Sequence, residues 1–200
     1  MFEQEFIEGQ VIADAFCGVG AIIVTAAKKL GCNVIANDLN PDAVKYAEAN
    51  AERNLIPNEK FHVECGDARD FIRSLGTKGK TLPDHLILNY PLDSCSFLDQ
   101  LRWWPSNGNV ETMVHVYTFA RPGSKTDRSQ EAVAIDMVAD NLLPEGGYSE
   151  KTINRRNELD ELGCMVRVHE VCDVALGKAV VCVLMRSWRK AVFVLSRVCC

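Results

Sequence analysis

Val11-Ile-Ala-Asp-Ala-Phe-Cys-Gly-Val-Gly20 constrains this chain more than any other stretch. An apolar run ends in an acid, a glycine-bearing turn follows, and Ala21-Ile-Ile-Val-Thr-Ala-Ala-Lys-Lys-Leu30 reads as a helix. A second apolar run, Val34-Ile-Ala-Asn-Asp38, ends in another acid. Strand, tight turn, helix and strand, with a carboxylate at the second strand's tip, is the layout of a nucleotide-cofactor site in an open α/β sheet. Taken alone, Gly18-x-Gly20 also fits a plain strand-to-helix turn. The third glycine of the dinucleotide fingerprint is missing, since Ala21-Ile22-Ile23 follows. That glycine lets a helix pack close to the sheet around a pyrophosphate, so its absence suits a cofactor without phosphates.

The alternation continues. Strands are expected at 10–15, 33–38, 60–65, 85–89, 112–119, 165–171 and 179–185. Helices are expected at 20–30, 41–55, 68–75, 94–102, 128–142 and 150–162. Strands alternating with helices argue for a mostly parallel sheet covered on both faces. The helix ends have mechanisms: Asn40 caps ahead of Pro41 at the first helical position, Gly31 closes the first helix, and Asp67 opens the third. Only Asp173-Val-Ala-Leu-Gly-Lys178 separates the last two strands, too little for a crossover helix, so they should form an antiparallel hairpin.

Two hundred residues suit one domain with a full core. No apolar run approaches the roughly 18 residues needed to cross a bilayer, and the acidic start Met-Phe-Glu-Gln-Glu-Phe-Ile-Glu has no signal-peptide layout. Residues 1–100 carry 9 Lys and Arg against 15 Asp and Glu, while residues 101–200 carry 13 against 12. That is not the basic footprint of a chain that grips nucleic acid unaided, so an RNA substrate would need local patches or another domain. The nine cysteines lack Cys-x-x-Cys and Cys/His ligand spacing, so neither a metal site nor a disulfide framework is expected. Cys17, Cys65 and Cys182 sit in or beside apolar runs and read as small hydrophobes, reduced in a reducing compartment.

Three further strand ends carry polar groups. Asp38 can accept both hydroxyls of a ribose, or be a solvated strand end. Asp67, in Gly66-Asp67-Ala68, can accept from an adenine amino group, or only cap its helix. Asn89, in Asn89-Tyr-Pro-Leu92, ends a central strand, where open α/β sheets bind ligands. Its amide can donate and accept.

In this order the elements resemble S-adenosylmethionine-dependent methyltransferases. The wording of Asp14-Ala-Phe-Cys-Gly-Val-Gly, Ala36-Asn-Asp-Leu-Asn-Pro-Asp-Ala-Val44, Gly66-Asp-Ala-Arg-Asp-Phe-Ile72, Asp84-His-Leu-Ile-Leu-Asn-Tyr-Pro91 and Phe97-Leu-Asp99 resembles the archaeal and eukaryotic tRNA (guanine-N1)-methyltransferases that act at position 37. Val114-His-Val-Tyr-Thr-Phe119 and Val168-His-Glu-Val-Cys-Asp-Val-Ala175 are similar to later family strands, so the likeness covers about residues 9–186. It implies a Rossmann-like fold with a seven-stranded sheet, S-adenosylmethionine as cofactor and tRNA as partner. It also implies a monomer of the cytoplasm, with the nucleus and mitochondrion as alternatives. Asp14, Phe16, Cys17, Gly18 and Gly20 would line the methionine side. Asp38, Leu39 and Asn40 would hold the ribose and its surroundings, and Asp67 and Ala68 would frame the adenine. Asn89 would meet cofactor or target guanine, with Pro91 shaping the catalytic pocket. The methyltransferase domain is expected over 1–188, with 189–200 an unassigned tail.

The chain departs from the family in three places. Asn89-Tyr90-Pro91 stands where the family has Asn-Leu-Pro. Val174-Ala-Leu-Gly-Lys178 replaces Val-Ala-Pro-Asn-Lys. The family's upstream glutamate segment, with its arginine-containing pattern, and its tRNA-reading domain are not recognisable ahead of the first strand, where Glu3 or Glu5 could stand in for the glutamate. Guanine N1 must lose a proton on methylation, and the one nearby acid, Asp93, reads as a helix cap. Tyr90, Trp103 and Trp104 are candidates for stacking on RNA bases, or for core and surface packing. Lys78, Lys80, Arg121, Lys125 and Arg128 could meet phosphates, or merely be solvated. Two other readings remain open: an aminocarboxypropyl transferase of hypermodified-guanosine synthesis, against which Asn89-Tyr-Pro91 argues, and a non-catalytic module of the same fold. An NAD-dependent oxidoreductase is disfavoured by the missing third glycine.

Overall fold

The computed structural model describes residues 5–77, 81–105, 111–121, 129–143, 155–161, 164–175 and 178–186. Seven strands form one sheet: β1 (Val11–Asp14), β2 (Asn33–Asp38), β3 (Phe61–Cys65), β4 (His85–Leu88), β5 (Met113–Ala120), β6 (Met165–Ala175) and β7 (Lys178–Arg186). Their spatial order is β3-β2-β1-β4-β5-β7-β6. The first five run parallel, and β7 pairs antiparallel with both β5 and β6. The expected parallel sheet with a closing hairpin is therefore present. Strand order reverses between β1 and β4, which opens a crevice at their carboxyl ends.

Helices cover both faces. They are α1 (Ala21–Leu30), α2 (Pro41–Arg53), α3 (Ala68–Leu75), α4 (Gln130–Leu142) and α5 (Arg155–Glu161). Alternate residues of the strands feed separate cores. Ala13, Leu86, Leu88, Val114 and Val116 pack with residues of α3 and α4, whereas Ile12, Ile87 and Tyr117 pack with Ala26 of α1. β4 is buried along its whole length, as a central parallel strand must be. The expected caps form: Asn40 accepts from the Asp42 N–H at 3.0 Å, Asp67 from Arg69 at 2.7 Å, and Gly31 closes α1 at φ 69°.

Two expectations need correction. The helix expected at 94–102 is a 3-10 segment, Ser94–Trp103. Its buried residues Cys95, Leu98, Leu101 and then Trp104 recur every third position, the period of a 3-10 helix. Its polar residues bond sideways instead of stabilising an α-helix: Arg69 of α3 reaches Asp99 at 2.9 Å, and Arg73 reaches Gln100 at 2.7 Å. Cys65 is exposed, not packed, because β3 is an edge strand. All seven described cysteines are free thiols. The helix expected at 150–162 is described over α5 alone, and the 189–200 tail with Cys199 and Cys200 lies outside the described residues. Among the described residues no helix is long and apolar enough to cross a membrane.

Candidate active site at the carboxyl ends of the sheet

Four strand ends build the crevice. Asp14 closes β1 and is buried. One of its oxygens accepts from the Phe16 N–H at 3.0 Å. Burial pushes its pKa up to about 7; the Phe16 N–H opposes that rise and the Asp38 charge adds to it. The turn then needs positive φ at Gly18 (54°) and Gly20 (87°). At Gly20 a Cβ would come within 3.3 Å of Ala47, so this glycine also lets α1 and α2 approach. Cys17 is buried, and burial, with the Asp14 and Asp38 charges, pushes its thiol up to about 12, which leaves it unreactive.

Asp38 ties two turns together. One carboxylate oxygen accepts from the Gly18 N–H at 2.8 Å and the other from the Asn40 N–H at 2.9 Å. Each oxygen keeps a lone pair, so the carboxylate can still accept from a diol. Leu39 beside it is 74% exposed and offers an apolar surface at the rim. Asp67 is exposed at the start of α3, while Ala68 is buried in the core with Phe71 and Ile72.

One residue missed by the sequence reading underlies these turns. Asn37 is fully buried. Its amide donates to Ala15 O at 3.2 Å and Gly66 O at 3.0 Å, while its own carbonyl accepts from the Cys17 N–H at 2.9 Å. It therefore clamps the turns after β1 and β3 to the end of β2. The amide oxygen has no hydrogen-bond partner among the described residues. Flipping the amide would set that oxygen against two carbonyls, so the orientation is fixed. A polar residue directly after the apolar run Val34–Ala36 and before an acid was the available signal.

After β4, Asn89 is half-buried and its side chain makes no hydrogen bond among the described residues. The next turn is held firmly. The Tyr90 N–H donates to Ser94 Oγ at 2.9 Å, and Tyr90 O accepts from the Asp93 and Ser94 N–H groups at 2.9 and 2.8 Å. Ser94 Oγ donates onward to Leu88 O, and Pro91 O accepts from the Phe119 N–H. Asp93 stands at the N-cap position of the 3-10 segment, as a cap reading expects, but its carboxylate accepts from Ser96 Oγ at 2.9 Å and from no main-chain N–H of the segment.

Of the stacking candidates, Trp104 is buried with its indole N–H on Ile72 O at 2.7 Å, so its ring belongs to the core. Trp103 is 65% exposed with the Arg73 guanidinium 5.5 Å from its ring centre. Tyr90 lies in the crevice, stacked on Phe16. Arg121 is exposed, while Lys78, Lys80, Lys125 and Arg128 lie outside the described residues, as does Glu3. Glu5 acts electrostatically on His85, at the opposite end of the sheet from Asn89.

Known proteins share this sequence pattern and this fold. The sequence profile of the TRM5/TYW2 methyltransferase domain matches residues 3–141. The chain belongs to that family. A tRNA (guanine(37)-N(1))-methyltransferase 2 of Phaeodactylum tricornutum is 40% identical over 88% of this chain and 37% of its own length. A tRNA (guanine(37)-N(1))-methyltransferase of Dictyostelium discoideum is 35% identical over 64% of this chain and 28% of its own. The chain thus spans roughly a third of the length of these TRM5/TYW2 relatives. The crystal structure of Pyrococcus abyssi Trm5b shares the fold, with a TM-score of 0.61 at 21% identity over 92% of this chain and 46% of that one. M. jannaschii TYW2, solved in complex with AdoMet, superimposes with a TM-score of 0.58 at 19% identity over 90% of this chain and 69% of that one.

Proposed function

We propose that this chain is the S-adenosylmethionine-binding, methyl-transferring part of a tRNA (guanine-N1)-methyltransferase acting at position 37. The observation that carries the reading is the crevice itself. Asp38 is braced between two turns with acceptor capacity to spare, and across β1 stands an Asn89 amide that makes no hydrogen bond among the described residues. The residues fit a nucleoside cofactor that lacks phosphates. Asp38 would take the ribose hydroxyls, Leu39 would cover one adenine face, and Asp67 would accept from the adenine amino group. The turn from Asp14 to Gly20 would wall the methionine end.

When bound, such a cofactor supplies an electrophilic methyl group on a sulfonium. The protein's share is position and electrostatics. Asn89, on the rigid turn after β4, would orient the guanine edge through its donor and acceptor. Burial raises the Asp14 pKa to about 7, and a cationic group close to it would favour its carboxylate form. The names of the relatives support tRNA as the substrate. We also place the chain as a monomer in the cytoplasm, where its thiols stay reduced.

Calorimetric titration with S-adenosylmethionine, followed by methyl-transfer assays on tRNA carrying G or A at position 37, tests the reading. Binding, with transfer to G37 and none to A37, is expected. Absence of cofactor binding rejects it, and transfer of a larger group from the cofactor would favour the aminocarboxypropyl alternative.

A further inference from the structure

A column of packed planar groups leads into the crevice. The Arg69 guanidinium, anchored on Asp99 at 2.9 and 3.2 Å, lies 4.7 Å from the Phe97 ring centre. Phe97 meets Phe16 edge-on at 4.9 Å, and Phe16 stacks on Tyr90 with centroids 5.4 Å apart and planes 26° from parallel. The stack ends there: Tyr90 remains 42% exposed. An exposed aromatic ordinarily gives up order to keep rotamer freedom. Here the backbone is held by hydrogen bonds on both sides and the inner face of the ring is covered by Phe16, which limits that freedom. Asn89 and Pro91 flank it in sequence, so the ring belongs to the same turn after β4 as the Asn89 amide.

We propose that the outer face of Tyr90 is a nucleobase-stacking platform that seats the target purine of a single-stranded RNA loop beside Asn89. This inference rests on the methyl-transfer reading and adds to it the residue that holds the base. Stacking suits the task because a loop base can be splayed out and loses little on leaving its neighbours. The platform is preorganised, so no ordering cost falls on binding. The Arg69–Phe97–Phe16 column beneath it keeps the ring from tilting away.

The test is a thermodynamic cycle on the whole chain. The dissociation constant for an anticodon stem-loop RNA is measured with wild type and Tyr90→Ala, using RNA with guanine at position 37 and RNA abasic there. Loss of one stacked base weakens binding by about tenfold to a hundredfold. Tyr90→Ala should therefore weaken binding of the guanine RNA by that factor, leave the abasic RNA unchanged, and be rescued by Tyr90→Phe. S-adenosylmethionine affinity, read in parallel, should stay within about twofold of wild type, which distinguishes base seating from general damage. Equal weakening of both RNAs, no weakening of either, or no binding of the loop RNA by wild type overturns the platform. Loss of cofactor binding in wild type instead overturns the methyl-transfer reading.

Discussion

The strands of one sheet end in two unlike environments. At the amino ends, polar side chains close on one another. Gln10 Oε1 accepts from the Ile7 N–H at 2.8 Å, so it also accepts from His85 Nε2, 3.1 Å away. His85 Nδ1 is then the bare nitrogen, and His115 Nε2 must donate to it across 2.9 Å. Phe6 covers both rings edge-on at 4.8 and 5.7 Å. Asp84 accepts from the Val11 N–H at 2.8 Å. At the carboxyl ends the polar groups are braced but left open: Asp38 keeps acceptor capacity, the Asn89 side chain makes no hydrogen bond among the described residues, and Tyr90 and Leu39 are exposed. One end is finished by folding, and the other is prepared for something else.

The largest effect should come from breaking the brace. Asn37→Asp would set a buried carboxylate against Ala15 O and Gly66 O in place of two donated hydrogen bonds. An uncompensated buried charge costs about 3–5 kcal/mol. Urea unfolding should show a loss of that size at neutral pH. An unchanged midpoint would show that the turns after β1 and β3 do not depend on the clamp.

The two ends should also respond to pH in opposite senses. His115 is held neutral, its pKa lowered to about 3, mainly by burial and further by His85, and His85 is lowered as well, mainly by burial with Asp84 and Glu5 opposing. Below about pH 6.5 the unfolded chain takes up protons that the folded one refuses, so stability falls with acid, by about 2 kcal/mol for His115 alone at pH 5. Asp14 has the reverse sign. Its folded pKa of about 7 lies above the unfolded 3.8, so its contribution is present at low pH and is lost as pH rises from about 4 to 7. Asp14→Asn should therefore raise stability at pH 8 by a few kcal/mol (about 1.4 per pKa unit) and steepen the net rise from pH 5 to 7. A variant whose profile parallels that of wild type would show that Asp14 does not carry this charge cost.

Much of this contrast was legible in the sequence, but unevenly. The strand ends were readable because each pairs an apolar run with an acid, glycine or amide, as in Val11–Asp14 and Val34–Asp38. The 3-10 segment was misread because Cys95, Leu98 and Leu101 also fit half of a helical stripe. Only their strict spacing of three, continued by Trp104, separates the two periods. The histidine pair was invisible because thirty residues separate its members, and they meet only because β4 and β5 lie side by side. Asn37 escaped for a related reason: its partners, Ala15 and Gly66, offer main-chain carbonyls, which leave no trace in residue types.

The smallest expected effect gives the sharpest comparison between the two ends. Gly18 and Gly31 both hold positive φ, 54° and 69°. Alanine at either should cost about 1–2 kcal/mol of stability, since an L-residue resists that conformation. Their surroundings differ. A Cβ at Gly31 meets the Glu8 side chain at 3.0 Å, the movable middle of an exposed residue, at the end of α1 remote from the crevice. A Cβ at Gly18 meets nothing within 4 Å, because it points into the open space above the turn whose N–H binds Asp38. The pair should therefore lose similar stability in thermal unfolding yet diverge in calorimetry. Gly31→Ala should keep its affinity for S-adenosylmethionine, and Gly18→Ala should lose about tenfold or more, because the new methyl group occupies ligand space. Equal affinities would mean that the space above Gly18 is not where the ligand lies.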